Sequence, residues 1–167
     1  MGPKISLWPV PVKIADQIEQ VRCIFAECIE GMATSEAVKL PSATDQQVWW
    51  NSEPRKRGFL YYTPDFPSVP VAFSVLQDHG AYMTPMFGIR KAWRGYGLGK
   101  QIIRHYLQTA GKPLHGKALV SNTIINKLNS QNGWQVIREE DGVRHLYHPN
   151  DRQQEIYDEI VRYGHEL

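Results

Sequence analysis

The sequence predicts one domain of mixed α and β structure, of the α/β (α+β) class. Three observations lead there. Segments with apolar residues at every second position alternate with segments whose apolar residues recur every third or fourth. Several strand-like segments follow one another across the middle of the chain. The 167 residues are enough to bury a single core without disulfide staples, and the composition is that of an ordinary globular chain.

Taken in order, KISLWPVPV reads as a first strand, broken by Pro9 and Pro11. ADQIEQVRCIFAECIEGM places Ile18, Val21, Ile24, Phe25, Cys28 and Ile29 on a helical period, with Gly31 as the stop. PSATDQQVWWNS predicts a short helix capped by Ser42 or Thr44. RGFLYYTP and VPVAFSVLQ read as strands separated by the turn-rich DFPS, and AYMTPMFGI as a further strand with a bulge or splay near Pro85 and Gly88. LGKQIIRHYLQTAG is an amphipathic helix with Leu98, Ile102, Ile103, Tyr106 and Leu107 inward, closed by Gly111. PLHGKALVS is a strand, NTIINKLNSQNG a short helix with Asn122 as N-cap, and WQVIRE and RHLYHP a hairpin around EDGV. NDRQQEIYDEIVRYG predicts a terminal helix with Ile156, Ile160 and Tyr163 inward.

Charge and cysteine usage exclude several functions. A net charge of +2 does not by itself imply a polyanion partner, but residues 86–147 carry ten Lys/Arg against three Asp/Glu. That half of the chain either welcomes an anion or is a solvated basic face. Cys23 and Cys28 are five apart on a predicted helix and so on different faces, which argues against a mutual disulfide. No Cys/His set has zinc-ligand spacing, so no metal is expected. MGPKISLWPVPVKI lacks the apolar core of a signal peptide, and no run approaches the roughly 20 apolar residues of a membrane span. The expectation is a cytoplasmic protein without membrane contact.

The segment IRKAWRGYGLGKQIIRHYL carries the chemistry. Glycines alternate at 95, 97 and 99 between Arg94 and Lys100, where a strand-like segment turns into a helix. A dinucleotide fingerprint from Gly95 would need a sixth-position glycine, and Lys100 stands there. A Walker loop would need a glycine at Arg94 and Ser or Thr at Gln101. What remains is Arg-x-x-Gly-x-Gly, met by Arg94, Gly97 and Gly99. Glycines let backbone approach a ligand closely, and amides converging at a helix N-terminus suit a pyrophosphate. The plainer alternative is a tight turn.

This stretch resembles motif A of the GNAT N-acetyltransferase superfamily, in which Arg/Gln-x-x-Gly-x-Gly/Ala binds the pyrophosphate of acetyl-CoA. Ile89, five before Arg94, matches a hydrophobic position of that motif. Downstream, Asn122, Ile125, Asn129, Gly133 and Trp134 follow the family's spacing, except that Asn129 stands where a tyrosine is common. The resemblance covers about residues 1–148, as one domain with 149–167 as a helical extension. It implies the GNAT acyltransferase fold, a mostly antiparallel sheet splayed at the motif strand and flanked by helices. It also implies transfer of an acetyl or other acyl group from CoA to an amine by direct attack.

Carried over residue by residue, the resemblance implies that Phe87, Gly88 and Ile89 offer backbone groups to the pantetheine arm and the acyl carbonyl. Arg94, Gly95, Tyr96, Gly97, Leu98, Gly99 and Lys100 would hold the pyrophosphate, with Asn122 and Asn129 reaching the co-substrate. Asn122 is equally well a plain helix cap. Lys91, Lys100, Arg104, Lys112 and Lys117 are the side chains expected near CoA's phosphates. The segment from Ala81 to Phe87 holds no carboxylate, so the candidates for proton transfer are His79, Tyr82, Thr84, Asn129, Tyr147 or water. The expected acceptor is a small-molecule or peptide amine. A nucleic-acid acceptor, stacked on Trp49, Trp50, Tyr61 and Tyr62, and a non-catalytic acyl-CoA-binding module are the competing readings. A monomer or a homodimer is expected.

Overall fold

The computed structural model describes residues 5–29 and 39–151. The predicted stop at Gly31 and the predicted terminal helix lie outside them. The elements are β1 (Trp8–Pro11), α1 (Ala15–Cys28), α2 (Ala43–Trp50), β2 (Arg55–Tyr62), β3 (Ala72–Asp78), β4 (Met83–Ile89), α3 (Leu98–Ala110), β5 (Leu114–Leu119), α4 (Thr123–Gln131), β6 (Gln135–Glu140) and β7 (Val143–His148). They build one seven-stranded sheet in the order β1-β2-β3-β4-β5-β7-β6. Every neighbouring pair is antiparallel except β4–β5, which is parallel.

Strand alternation sends successive side chains to opposite faces, and each face has its own core. On one, the predicted stripe of α3 packs its buried Leu98, Ile102, Ile103, Tyr106 and Leu107 with Tyr61, Met83, Leu114, Trp134 and Leu146. On the other, Val21, Ile24 and Cys28 of α1 cover Leu60, Phe73 and Val75. Trp49, Trp50 and Tyr62 are partly buried against this second core and Tyr61 is buried in the first. They serve packing, which does not favour the competing reading of a stacking platform for nucleic acid.

The prolines find positions where a missing N–H costs nothing. Pro9 and Pro11 lie in β1, an edge strand. The amide of Val12 bonds the Gly58 carbonyl at 2.9 Å, so by alternation the two proline nitrogens face outward. Caps form as the residue types require: Ser42 Oγ accepts from the Asp45 amide at 3.1 Å, and Gly111 closes α3 at φ 65°. Asp141 and Gly142, at φ 52° and 76°, make the turn joining β6 to β7. Cys23 and Cys28 are both free thiols.

One polar network threads the α3 core. The Tyr61 hydroxyl lies 2.8 Å from Ser74 Oγ and 2.7 Å from His105 Nδ1. Burial raises the Tyr61 pKa and lowers that of His105 from its ordinary 6.5. A lowered folded-state histidine pKa means that the unfolded chain takes up its proton first as pH falls. Stability is therefore complete above about pH 6.5 and declines as pH drops from there toward the folded-state pKa. Thermal melts between pH 7.5 and 5 should show this decline, and His105→Phe should flatten it.

Candidate functional site

β4 and β5 pair at one point only, Met83 with Leu114, and then diverge. The register explains why. The Arg90 amide bonds the Val71 carbonyl at 2.9 Å, whereas the Met83 amide bonds the Pro113 carbonyl at 3.0 Å. Even-numbered residues of β4 thus direct their backbone groups at β3, and odd-numbered ones at β5. Pro85 is odd and has no N–H, so it cannot extend a ladder with β5. The β3–β4 register runs unshifted past Pro85 and Gly88. The expected irregularity is hence a splay on the β5 side, with no bulge against β3.

The same parity sorts the three residues expected to offer backbone groups. Phe87 turns its N–H and C=O into the splay. Gly88 turns both toward Phe73 of β3 and does not serve the gap. Its missing Cβ has another cause: a Cβ there would stand 2.7 Å from Cys28 Sγ. The Ile89 carbonyl already accepts from Arg94 Nε at 3.0 Å and from Cys28 Sγ at 3.5 Å. Burial pushes the Cys28 thiol pKa up, outweighing the nearby Arg94 guanidinium, so it stays a thiol.

After β4 the chain makes a single 3₁₀ turn, Lys91–Trp93, and enters the glycine loop. Gly95 and Gly97 have φ 85° and 77°, and nothing lies within 4 Å of a Cβ built on either. The loop is thus open on its outer side. Gly97 is the N-cap of α3 and supplies no side-chain acceptor to the first-turn amides. In contrast, α2 and α4 are capped by Ser42 and by Asn122. The N-terminus of α3 therefore presents free donors with the positive end of the helix dipole behind them, flanked by Lys100 and with no acidic residue in its first turn. Gly99 serves packing, since a Cβ there would come within 2.6 Å of Leu128 Cδ2 on α4.

A clamp that the sequence does not reveal holds this loop. Glu27, in the last turn of α1, pairs with Arg90 Nη1 at 2.6 Å and accepts the Lys91 amide at 3.1 Å. Arg94, expected to reach pyrophosphate, lies against α1 with its side chain still exposed, Nη2 standing 3.0 Å from the Glu27 carbonyl oxygen. It fixes the loop to α1. Asn122 Oδ1 caps α4 by accepting from the Ile125 amide at 3.2 Å, the plainer of its two readings. Asn129 is buried on α4; its carbonyl accepts from the Asn132 and Trp134 amides, and its side chain forms no hydrogen bond among the described residues.

The candidates for proton transfer are not brought to the loop. His79 and Tyr82 stack at 4.8 Å beside the closed end of the splay, and Tyr82 also meets His115, which meets Tyr147. Tyr82 precedes Ile89 by seven residues, about 23 Å of strand. Thr84 is even-numbered and faces its backbone to β3. Lys112 is held by Asp78 at 2.7 Å at that same closed end, an interaction that keeps the Asp78 carboxyl below its usual pKa. Lys117 projects from β5 on the face away from α3. Only Lys91, Lys100 and Arg104 of the expected phosphate partners stand near the loop.

Two hollows flank these elements. One of about 610 Å³ along α2 is lined by Ala43, Thr44, Gln47, Val48, Asn51 and Ser52, none of which titrates near neutrality. The other, about 380 Å³, lies against the glycine loop and is walled by Phe66, Val71, Trp93 and Tyr96. No group of three or more His, Cys, Asp or Glu among the described residues is placed to hold a metal. No described helix is long and apolar enough to cross a membrane.

No protein-family model matches this sequence, and no curated protein matches it. Its fold is nevertheless shared by solved structures. A GNAT superfamily phosphinothricin acetyltransferase from Sinorhizobium meliloti, solved with AcCoA, superposes at a TM-score of 0.69 with 11% identity, over 88% of this chain and 89% of its own. A GCN5-related N-acetyltransferase from Kribbella flavida gives 0.68 with 14% identity, over 86% and 97%. An acetyltransferase from Thermus thermophilus gives 0.66 with 18% identity, over 87% and 98%. The architecture is the GNAT acyltransferase fold, as the sequence predicts.

Proposed function

We propose that this chain, built on the GNAT fold, is an acetyl-CoA-dependent N-acyltransferase acting on an amine. The observation that carries the reading is the pairing of an uncapped, glycine-built helix N-terminus with a splayed strand edge beside it. The residues fit an acyl-CoA. Amides from Gly95 to Lys100 would hold its pyrophosphate, and Phe87 would pair with its pantetheine arm in the space that Pro85 leaves unladdered. When bound, the thioester supplies an activated carbonyl.

The chain's own contribution is positioning and polarisation. The Phe87 N–H would donate to the carbonyl oxygen, where charge develops in the reaction. Glu27 and Arg94 hold the loop rigid, so the phosphates register the acyl group along β4. β4 itself carries no carboxylate or histidine, so we assign proton transfer to water, with the amine arriving as its free base. The acid limb of the rate profile should accordingly follow the acceptor's own pKa, shifting when one amine is exchanged for another. His79→Ala should leave the rate within about threefold, where loss of a general base would cost roughly 10²- to 10⁴-fold. The two free cysteines agree with a reducing, cytoplasmic setting. Calorimetry with acetyl-CoA, followed by acceptor-dependent release of CoA thiol across a panel of amines, tests the reading. No binding of acetyl-CoA would refute it.

A further inference from the structure

The sheet face opposite α3 is covered unevenly. α1 and α2 pack over β2, β3 and β4, but no described helix covers β5, β7 and β6 there. Parity decides what stands on this open half. Gly116 and Leu146 face Trp134 and the α3 core, so Lys117, His145 and Tyr147 face away from it. Lys117 is the cross-strand partner of His145, and His145 that of Arg138. The next row of the same face is His115, Tyr147 and Gln135.

Such a row gathers nitrogen donors on one face. Directly opposed residues stand about 4.5–5.5 Å apart at Cβ. Here three adjacent strands put a lysine, a histidine and an arginine side by side. On the helix face of the same hairpin the chain does the opposite, pairing Arg144 with Glu139 at 2.7 Å. The carboxylate on the open face is Glu140, at 3.7 Å from Arg138 Nε, with both side chains mostly exposed. Lys117 has no ion-pair partner among the described residues.

The row also begins at the splay. β5 runs parallel to β4 from the Met83–Leu114 pair, so Lys117, three residues beyond Leu114, is level with Met86 and one residue short of Phe87. We infer that the open face of β5, β7 and β6 binds the acceptor, and that the acceptor is an amine carrying a carboxylate or phosphonate-type anion. Lys117, His145 and Arg138 would receive the anion, the guanidinium fork suiting either oxyanion, while His115 and Tyr147 flank the body of the molecule. This rests on the acyltransferase reading above and adds the substrate class.

The test uses matched amines with and without the anion: γ-aminobutyrate against butylamine, and 2-aminoethylphosphonate against ethanolamine. With acetyl-CoA saturating, kcat/KM should favour the anionic member of each pair by at least about tenfold, and Lys117→Met or Arg138→Gln should cut that ratio by a similar factor. Independently of turnover, the ring resonances of His115 and His145 in the full chain should shift with 2-aminoethylphosphonate and not with ethanolamine. If the rings respond while no amine releases CoA, the anion site stands and acyl transfer falls. If amines turn over without preference for the anion, the inference falls and the acyltransferase reading stands. Displacement of the phosphonate by a single-stranded oligonucleotide, with the steep salt dependence of many phosphate contacts, would overturn it in favour of a polyanion acceptor.

Discussion

Gly97→Asp should abolish acetyl-CoA binding while leaving a fully folded protein. Gly97 sits at φ 77°, a left-handed conformation that Asp and Asn adopt more readily than other non-glycine residues, and a Cβ there meets nothing within 4 Å. It is also the N-cap of α3, whose first-turn amides have no side-chain acceptor. An aspartate carboxylate at that position would place a resident negative charge at the helix N-terminus, where the pyrophosphate would sit. The left-handed backbone costs an L residue about 1–2 kcal/mol, so the melting temperature should fall modestly while unfolding stays cooperative. Repulsion between two charges at about 4 Å is roughly 4 kcal/mol at an effective dielectric of about 20, so affinity should fall on the order of a hundred- to a thousandfold. Gly97→Asn keeps the volume and removes the charge, and should lose far less. Calorimetry on the three proteins decides the matter. Unchanged affinity in a folded Asp variant would remove the loop from the binding site.

The parts of this protein set by local chemistry are legible in its sequence. The stripe of α3, its Gly111 stop and the Asp141-Gly142 turn follow from local pattern and residue type, and of the two caps offered for α2 the structure has Ser42. The glycine loop is legible because few folds need glycines at 95, 97 and 99 ahead of an amphipathic helix. What the sequence hides is whatever depends on parity or on distant contact. Pro85 announces a disturbance in β4, but only the register with β3 reveals which edge is disturbed and that Phe87 serves the gap while Gly88 does not. That Arg94 also bonds the carbonyl of Glu27, 67 positions earlier, emerges only once α1 is folded beside the loop. His79 and Tyr82 are close to the motif in sequence, and an extended strand carries them to its far end. The basic row of Lys117, His145 and Arg138 spans three strands and has no linear signature at all.

Phe87→Pro should cost the most turnover of any single change that preserves the sheet. Its neighbour Pro85 sets the precedent. Pro85 shares the parity of Phe87 and is accommodated in mid-strand because its missing N–H would have pointed at β5, where there is no ladder. Proline at 87 would likewise leave every β3–β4 backbone bond in place, and Met86 before it is already extended, as a residue preceding proline must be. What disappears is the one amide that Phe87 turns into the splay. If that amide polarises the acyl carbonyl, its loss should lower kcat by roughly 10²- to 10³-fold, the effect of removing one oxyanion donor, with a smaller change in KM. The side chain itself packs on the α3 core, so the reference is Phe87→Leu, which keeps the N–H and most of the apolar bulk. Both variants should melt cooperatively and bind CoA through the intact loop. A kcat for the proline variant within about threefold of the leucine variant would show that the carbonyl is polarised elsewhere, since even one lost oxyanion donor is worth far more than that.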